Sequence, residues 1–160
     1  MIFVTVGTHE QGMDRLFIEI DNLIEKGIIK DDVFAQIGYS EYQPKNFKYE
    51  KMISYDRMDD LVKKSNIVIT HGGPGSIFHP LQYGKIPIVV PRNPAFNEHV
   101  DNHQILFAKR LDSQNKILAV YEIDDLKNKI INYNNIIKSF DKHLNQADIF
   151  IEKFTGLIKK

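Results

Sequence analysis

Asn66-Ile-Val-Ile-Thr-His-Gly-Gly-Pro-Gly-Ser76 is the stretch whose reading decides the fold of this 160-residue chain. Ile67, Val68, Ile69 and Thr70 are all β-branched, polar only at the end, and predict a buried strand. Gly72, Gly73, Pro74 and Gly75 then break it, and residues 76–83 predict a helix that Gly84 closes as a C-cap glycine does. A strand, a glycine-rich turn and a helix N-terminus together make a cradle for an anionic phosphate. Backbone without side chains allows close approach, unpaired N–H groups point outward, and the helix dipole favours negative charge. A tight strand-to-helix turn that merely needs glycine is the competing reading.

Working outward, the same alternation repeats. Residues 1–6 predict a strand that stops at Gly7-Thr8-His9-Glu10-Gln11-Gly12. A helix follows, with Leu16, Phe17, Ile20, Leu23 and Ile24 on one face, Asp14 in its first turn and Gly27 at its end. Residues 33–37 predict a second strand, 39–48 a polar loop and 47–54 a third strand of weaker pattern. Asp56 is expected to cap a short helix over 57–64 that turns Met58, Leu61 and Val62 inward. Beyond the glycine loop, residues 87–90 and 117–120 predict strands. Between them lie a loop at 92–98 and a helix at 99–111 that buries Val100, Phe107, Ala108 and Leu111. Residues 122–160 are read as C-terminal helices, one carrying Ile123, Leu126, Ile130, Tyr133 and Ile137. The other carries Phe140, Leu144, Ala147, Ile151, Phe154 and Ile158. This pattern predicts a single α/β domain, residues 1–160, with a Rossmann-like, mainly parallel sheet and helices on both faces.

Composition narrows the function. Twenty-one basic residues balance twenty-one acidic ones, so no net charge draws the chain to nucleic acid or anionic lipid. Cysteine is absent, which removes disulfides and thiolate metal sites and suits a reducing cytoplasm. No apolar run reaches membrane-spanning length, so membrane association is expected to come from a partner.

Ligands of such sheets bind outside the carboxyl ends of the strands. That edge gathers residues 7–11, Gly38, Ser54, Tyr55, 71–76 and 92–98. Neither a GxGxxG nor a phosphate loop followed by GK[ST] is present, which argues against a dehydrogenase or a P-loop kinase.

Three motifs in order, Thr70-His-Gly-Gly-Pro-Gly-Ser76, Tyr83-Gly-Lys-Ile-Pro-Ile-Val-Val-Pro91 and Glu98-His-Val-Asp-Asn-His-Gln104, resemble the C-terminal domain of family 28 glycosyltransferases. The opening Ile2-Phe-Val-Thr-Val-Gly-Thr-His-Glu-Gln11 resembles the small, single-domain branch of that family. Its members are bacterial capsule and exopolysaccharide galactosyltransferase subunits and the catalytic subunit of a eukaryotic two-chain GlcNAc transferase. The resemblance implies the donor half of a GT-B enzyme, with UDP-sugar, galactose leading, as substrate and no metal or other cofactor. It also implies a heterodimer with a membrane-anchored, acceptor-binding subunit, a lipid-linked saccharide acceptor, and action at the inner face of the cell membrane.

Matched to the family, the backbone around Ile53 would hold uracil, with Met58 as an apolar wall. Gly72, Gly73, Pro74, Gly75 and Ser76 would face the diphosphate, joined by Gly7 and Thr8 on the neighbouring loop. His71 would either donate to a phosphate oxygen or fix the turn. Asp101, Asn102, His103 and Gln104 occupy positions whose relatives touch the donor sugar. Many relatives carry a ribose-gripping glutamate where this chain has His79, whose imidazole is not a bidentate carboxylate; either His79 holds the ribose differently, or another group does, or nucleotide affinity is weak until the partner closes the cleft. Displacement with inversion needs a base, and His9 and Glu10 are the candidates here, the partner being the other source. A non-catalytic UDP-sugar-binding subunit is the alternative function. A zinc hydrolase built on Glu98, His99, Asp101 and His103 is disfavoured, because Val100 breaks the HExxH pattern and no third ligand is evident.

Overall fold

The computed structural model describes residues 1–140. The expected last helix, with Leu144, Ala147, Ile151, Phe154 and Ile158, lies outside them. Six strands run in the order β3-β2-β1-β4-β5-β6. They are β1 (Ile2–Thr5), β2 (Val33–Gln36), β3 (Lys48–Glu50), β4 (Ile67–Thr70), β5 (Ile88–Val89) and β6 (Leu118–Ala119). Every pairing is parallel, so the sheet is more uniform than the mainly parallel one expected. In register, Thr5 stands beside both Gln36 and Thr70. The two central strands therefore end level with one another.

The helices are α1 (Asp14–Glu25), α2 (Tyr55–Lys64), α3 (Pro74–Leu81), α4 (His103–Ser113), α5 (Leu126–Ile131) and α6 (Tyr133–Ser139). Alternation along β1 divides the core. Ile2, Val4 and Val6 join the larger cluster, which includes Leu16, Phe17 and Ile20 of α1. Phe3 faces the other way, onto Val68 and Val62 of α2. Helices thus cover both faces, which is why every residue of β1 and β4 is buried.

Several boundaries differ from expectation, each for a local reason. Ser54, not Asp56, caps α2: its Oγ accepts from the Arg57 N–H at 3.2 Å. β3 is three residues rather than eight, so residues 51–54 form a connecting loop. α3 starts two residues early, with Pro74 at its first position, where a missing N–H costs nothing. α4 starts at His103 rather than His99. Asp101 Oδ1 accepts from the His103 N–H at 3.0 Å, a short side-chain turn that competes with helix. Residues 99–102 therefore stay irregular, and Val100 is 76% exposed instead of buried. The helix expected around 123–137 is a 3-10 turn, Ile123–Asp125, followed by two short helices that meet at Asn132. Its apolar face survives the break: Leu126 and Tyr133 are buried, and the Tyr133 hydroxyl donates to Ile86 C=O at 2.7 Å.

Candidate functional site at the switch point of the sheet

The strand order reverses between β1 and β4, so the crevice at their carboxyl ends is where this topology places a ligand. It is bounded by the loop starting at Gly7 and the loop from His71 to Gly73. The His71 N–H continues the ladder onto Thr5 C=O at 3.2 Å. Its imidazole, 7% exposed, fills the gap between the two loops. A Cβ at Gly7 would stand 2.6 Å from His71 Nε2, and one at Gly73 only 2.4 Å from His71 Cε1. Gly7 also has φ +72°, in the region that disfavours side chains. Both glycines exist to let this ring in.

Gln104, on the first turn of α4, fastens the ring. Its Oε1 accepts from Gly72 N–H and from Arg92 N–H, each at 3.0 Å, and its Nε2 lies 3.2 Å from His71 Nδ1. On the other side His71 Nε2 meets Ser76 Oγ at 3.1 Å. Burial, with the nearby Arg92 cation, drives the His71 pKa down to about 3, so the ring is neutral at physiological pH.

Ser76 belongs to α3, whose N-terminus opens into the crevice. Its N-cap is Gly73, which has no side-chain oxygen, so no side chain caps the first N–H groups. Gly75 is exposed, and a Cβ there would meet nothing within 4 Å. Bare backbone, free donors and open space therefore coincide at Gly73, Gly75 and Ser76. Gly72 differs, since its N–H is taken by Gln104.

Arg92 braces the crevice from below and was invisible to motif reading. It is fully buried. Its guanidinium donates to Val6 C=O at 2.5 Å, to Glu98 C=O at 3.1 Å and to Gln11 C=O. Three loop carbonyls thus converge on one fork, while Nε lacks a partner among the described residues. Burial lowers its pKa to about 10, which leaves it charged. The Glu98 carboxylate is committed elsewhere: Arg15 grips it at 2.8 and 3.0 Å, and it accepts from the Asn93 N–H at 3.0 Å.

The remaining expected residues surround this centre. Thr8 and Glu10 are exposed. His9 is half-buried, stacks on His99 at 4.5 Å between ring centres and has Nε2 2.8 Å from Gln11 Oε1. Asn102 and His103 are exposed at the start of α4, on the same edge. Asp101 Oδ1 and Oδ2 lie 3.3 Å from His99 Nδ1 and His103 Nδ1 respectively. Because α4 starts at His103, the helical four-residue spacing of His99 and His103 is not realised. No group of three or more metal-ligating side chains is found among the described residues. Ile53 and Met58 are half-buried against the smaller core cluster. Among the described residues, nothing hydrogen-bonds the Ile53 backbone.

His79 faces α2 instead of the glycine loop. Its Nε2 is 2.7 Å from Asp59 Oδ1, and Tyr55 stacks on it at 5.5 Å. Asp59 also accepts from the Tyr83 hydroxyl at 2.5 Å and pairs with Lys63 at 3.1 Å, contacts that pull its carboxyl well below the ordinary range.

A cleft of about 720 Å³ lies beyond the loop that starts at Gly7, between that loop and residues 96–98. Glu10, Glu41 and Glu122 face it, with Tyr39 and Phe96. These carboxylates make the lining acidic on balance, although Arg15 also borders the cleft.

A wholly parallel sheet with an open helix N-terminus at its switch point defines a Rossmann-like α/β domain, matching the C-terminal domains of GT-B glycosyltransferases. The model of the glycosyltransferase family 28 C-terminal domain matches residues 1–159, and the chain belongs to that family. It is 32% identical over 75 residues to the UDP-N-acetylglucosamine transferase subunit ALG13 of Yarrowia lipolytica, an alignment covering 45% of this chain and 36% of that protein. Among solved structures, the glycotransferase of kitacinnamycin superposes with a TM-score of 0.63 at 15% identity, covering 99% of this chain and 42% of its own. The Streptomyces nogalater glycosyltransferase SnogD gives 0.58 at 15%, with 98% and 43% covered. The calicheamicin glycosyltransferase CalG4 gives 0.59 at 14%, with 95% and 38% covered. The chain thus spans less than half the length of these relatives.

Proposed function

We propose that this chain is the donor-binding, catalytic half of a two-component inverting glycosyltransferase, which moves a hexose from a UDP-sugar to a lipid-linked saccharide in exopolysaccharide or capsule synthesis. UDP-galactose is the leading donor. One observation carries the reading: in a family 28 domain, the uncapped N-terminus of α3 opens at the switch point, with Gly75 leaving room for a ligand to reach it. The N–H groups of Gly73, Gly75 and Ser76 would take the diphosphate, and the helix dipole would stabilise departing UDP without a metal ion. The free Ile53 backbone suits the hydrogen-bonding edge of uracil, and exposed Asn102 and His103 suit sugar hydroxyls.

The acidic cleft fits the second half of the reaction. A neutral acceptor hydroxyl can enter it, and Glu10 on its lining, or His9 next to Glu10 in sequence, would take its proton. Similarity to a transferase subunit of Yarrowia lipolytica supports a partner that supplies the acceptor side. That partner would be membrane-anchored and would hold this chain at the cytoplasmic face. Among the described residues, no helix is long and apolar enough to cross a membrane. Calorimetric titration with UDP, then with a panel of UDP-sugars, tests the donor site. Transfer to a lipid-linked acceptor with and without the partner tests catalysis. UDP binding without transfer in either arm would reassign the chain as a non-catalytic donor-binding subunit.

A further inference from the structure

Among the described residues, His71 is the one buried histidine whose two ring nitrogens both face side chains of the crevice, and the hydrogens along this chain of contacts can be counted. Gln104 Oε1 lies 3.0 Å from two backbone nitrogens that only donate, so that atom must be the oxygen. The other amide atom is then NH2, which only donates, and it points at His71 Nδ1. Nδ1 must therefore carry the lone pair. A neutral imidazole with a bare Nδ1 has its hydrogen on Nε2, and Nε2 points at Ser76 Oγ. Ser76 thus accepts from His71, and among the described residues its hydroxyl makes no other hydrogen bond. Its own hydrogen is left to donate at the uncapped end of α3.

From this chain of donors we infer that Gln104 and His71 are positioning residues that lock one imidazole tautomer, so that Ser76 presents a hydroxyl hydrogen to an anionic oxygen at the helix N-terminus. The inference rests on the donor-site reading above and assigns His71 a part it plays only through Ser76. It explains why a neutral ring is walled in by two glycines where a lysine or arginine would bind phosphate more strongly. A cation here would attract the diphosphate from any direction, whereas an oriented neutral donor adds directionality with a smaller gain in ground-state affinity.

Two measurements on the full chain test it. Nitrogen-15 NMR of the His71 ring should show the Nε2–H tautomer with no titration between pH 5 and 8 in the wild type. An Nδ1–H tautomer, or titration in that window, overturns the lock whatever the protein binds. UDP affinity should fall about tenfold in Ser76→Ala, the usual loss for one hydrogen bond to a charged group. It should fall equally in His71→Asn, which cannot reach Ser76, and by no more in the double variant, because one hydrogen bond is being removed by two routes. Additive losses overturn the proposal. His71→Gln, whose amide can stand where Nε2–H stood, should recover most of the affinity. Failure of that rescue with a folded protein also counts against the lock. If the wild type binds no UDP, the donor site itself is refuted, while the NMR result still decides the tautomer.

Discussion

Replacing Gly75 by Asp should raise the stability of the protein and weaken its hold on nucleotide, two effects of opposite sign from one side chain. Gly75 is the second residue of α3, its φ is ordinary, and a Cβ would meet nothing within 4 Å. Removing a glycine from the helix gains about 0.5–1 kcal/mol, and a carboxylate in the first turn adds about 0.3–1 kcal/mol. For a chain of this length, about 1–1.5 kcal/mol raises Tm by about 3–5 °C. The same carboxylate would stand roughly 5 Å from a bound phosphate. Two unit charges at that distance repel by about 0.8 kcal/mol at the permittivity of water and by about 3 kcal/mol at an effective value of 20. UDP affinity should therefore fall by roughly fourfold to 150-fold. Gly75→Ala is the control, expected to gain the propensity term and keep UDP affinity within about threefold of wild type. Differential scanning fluorimetry and calorimetry read the two effects on the same samples. An Asp variant that binds UDP within a factor of two of wild type would refute the placement of the diphosphate on α3. An Ala variant that loses as much affinity as Asp would refute the electrostatic argument.

Gly7→Ala places a Cβ 2.6 Å from the His71 ring at φ +72°, and should cost about 1–3 kcal/mol in a urea melt, strain and displacement together. Arg92→Lys keeps the charge but cannot reach three carbonyls as a fork, and a loss of about 2–4 kcal/mol in the same assay is expected for this buried cation. Because the folded His71 pKa is near 3 against an ordinary 6.5, the unfolded chain binds the extra proton between those values. The stability this neutral ring confers is complete above pH 6.5 and lost as pH falls toward 3, at up to about 1.4 kcal/mol per pH unit. Urea midpoints between pH 7 and 5 should show that slope, flattened in His71→Asn; an unchanged slope rejects the burial argument. Chelators should leave UDP binding unaltered, and a loss of affinity on chelation would show that a metal bridges the diphosphate.

The fold was legible because its signals are local. A β-branched run ending at a glycine appears at Ile67–Thr70, and the apolar stripe Leu16, Phe17, Ile20 and Leu23 has only one helical face to occupy. The strand, glycine turn and helix N-terminus around Gly73, Gly75 and Ser76 were readable for the same reason. What escaped the sequence was long-range polar chemistry. Arg92 sits in a proline-flanked polar loop and reads as solvated, yet it is buried because Val6, Gln11 and Glu98 bring carbonyls to it from three segments. Gln104 was read, through the family resemblance, as a donor-sugar contact; only the arrival of Gly72, Arg92 and His71 shows the internal use of its amide. The start of α4 was misplaced because hydrophobic period says nothing about Asp101 capturing the His103 N–H. His79 was read beside the glycine loop because Asp59, its partner, lies twenty residues away on α2.

The grip of Arg92 has a consequence for how this family can diverge. All three of its acceptors are main-chain oxygens, so substitutions in the segments that supply them leave the fork undisturbed. Insertions do not, because one added residue between Val6 and Gln11 moves an oxygen out of reach. Lineages that keep the arginine should therefore hold these segment lengths constant while varying in spelling along the rim, Gly7 excepted. Laboratory shuffling of this rim should follow the same grammar, exchanging letters and never spacing.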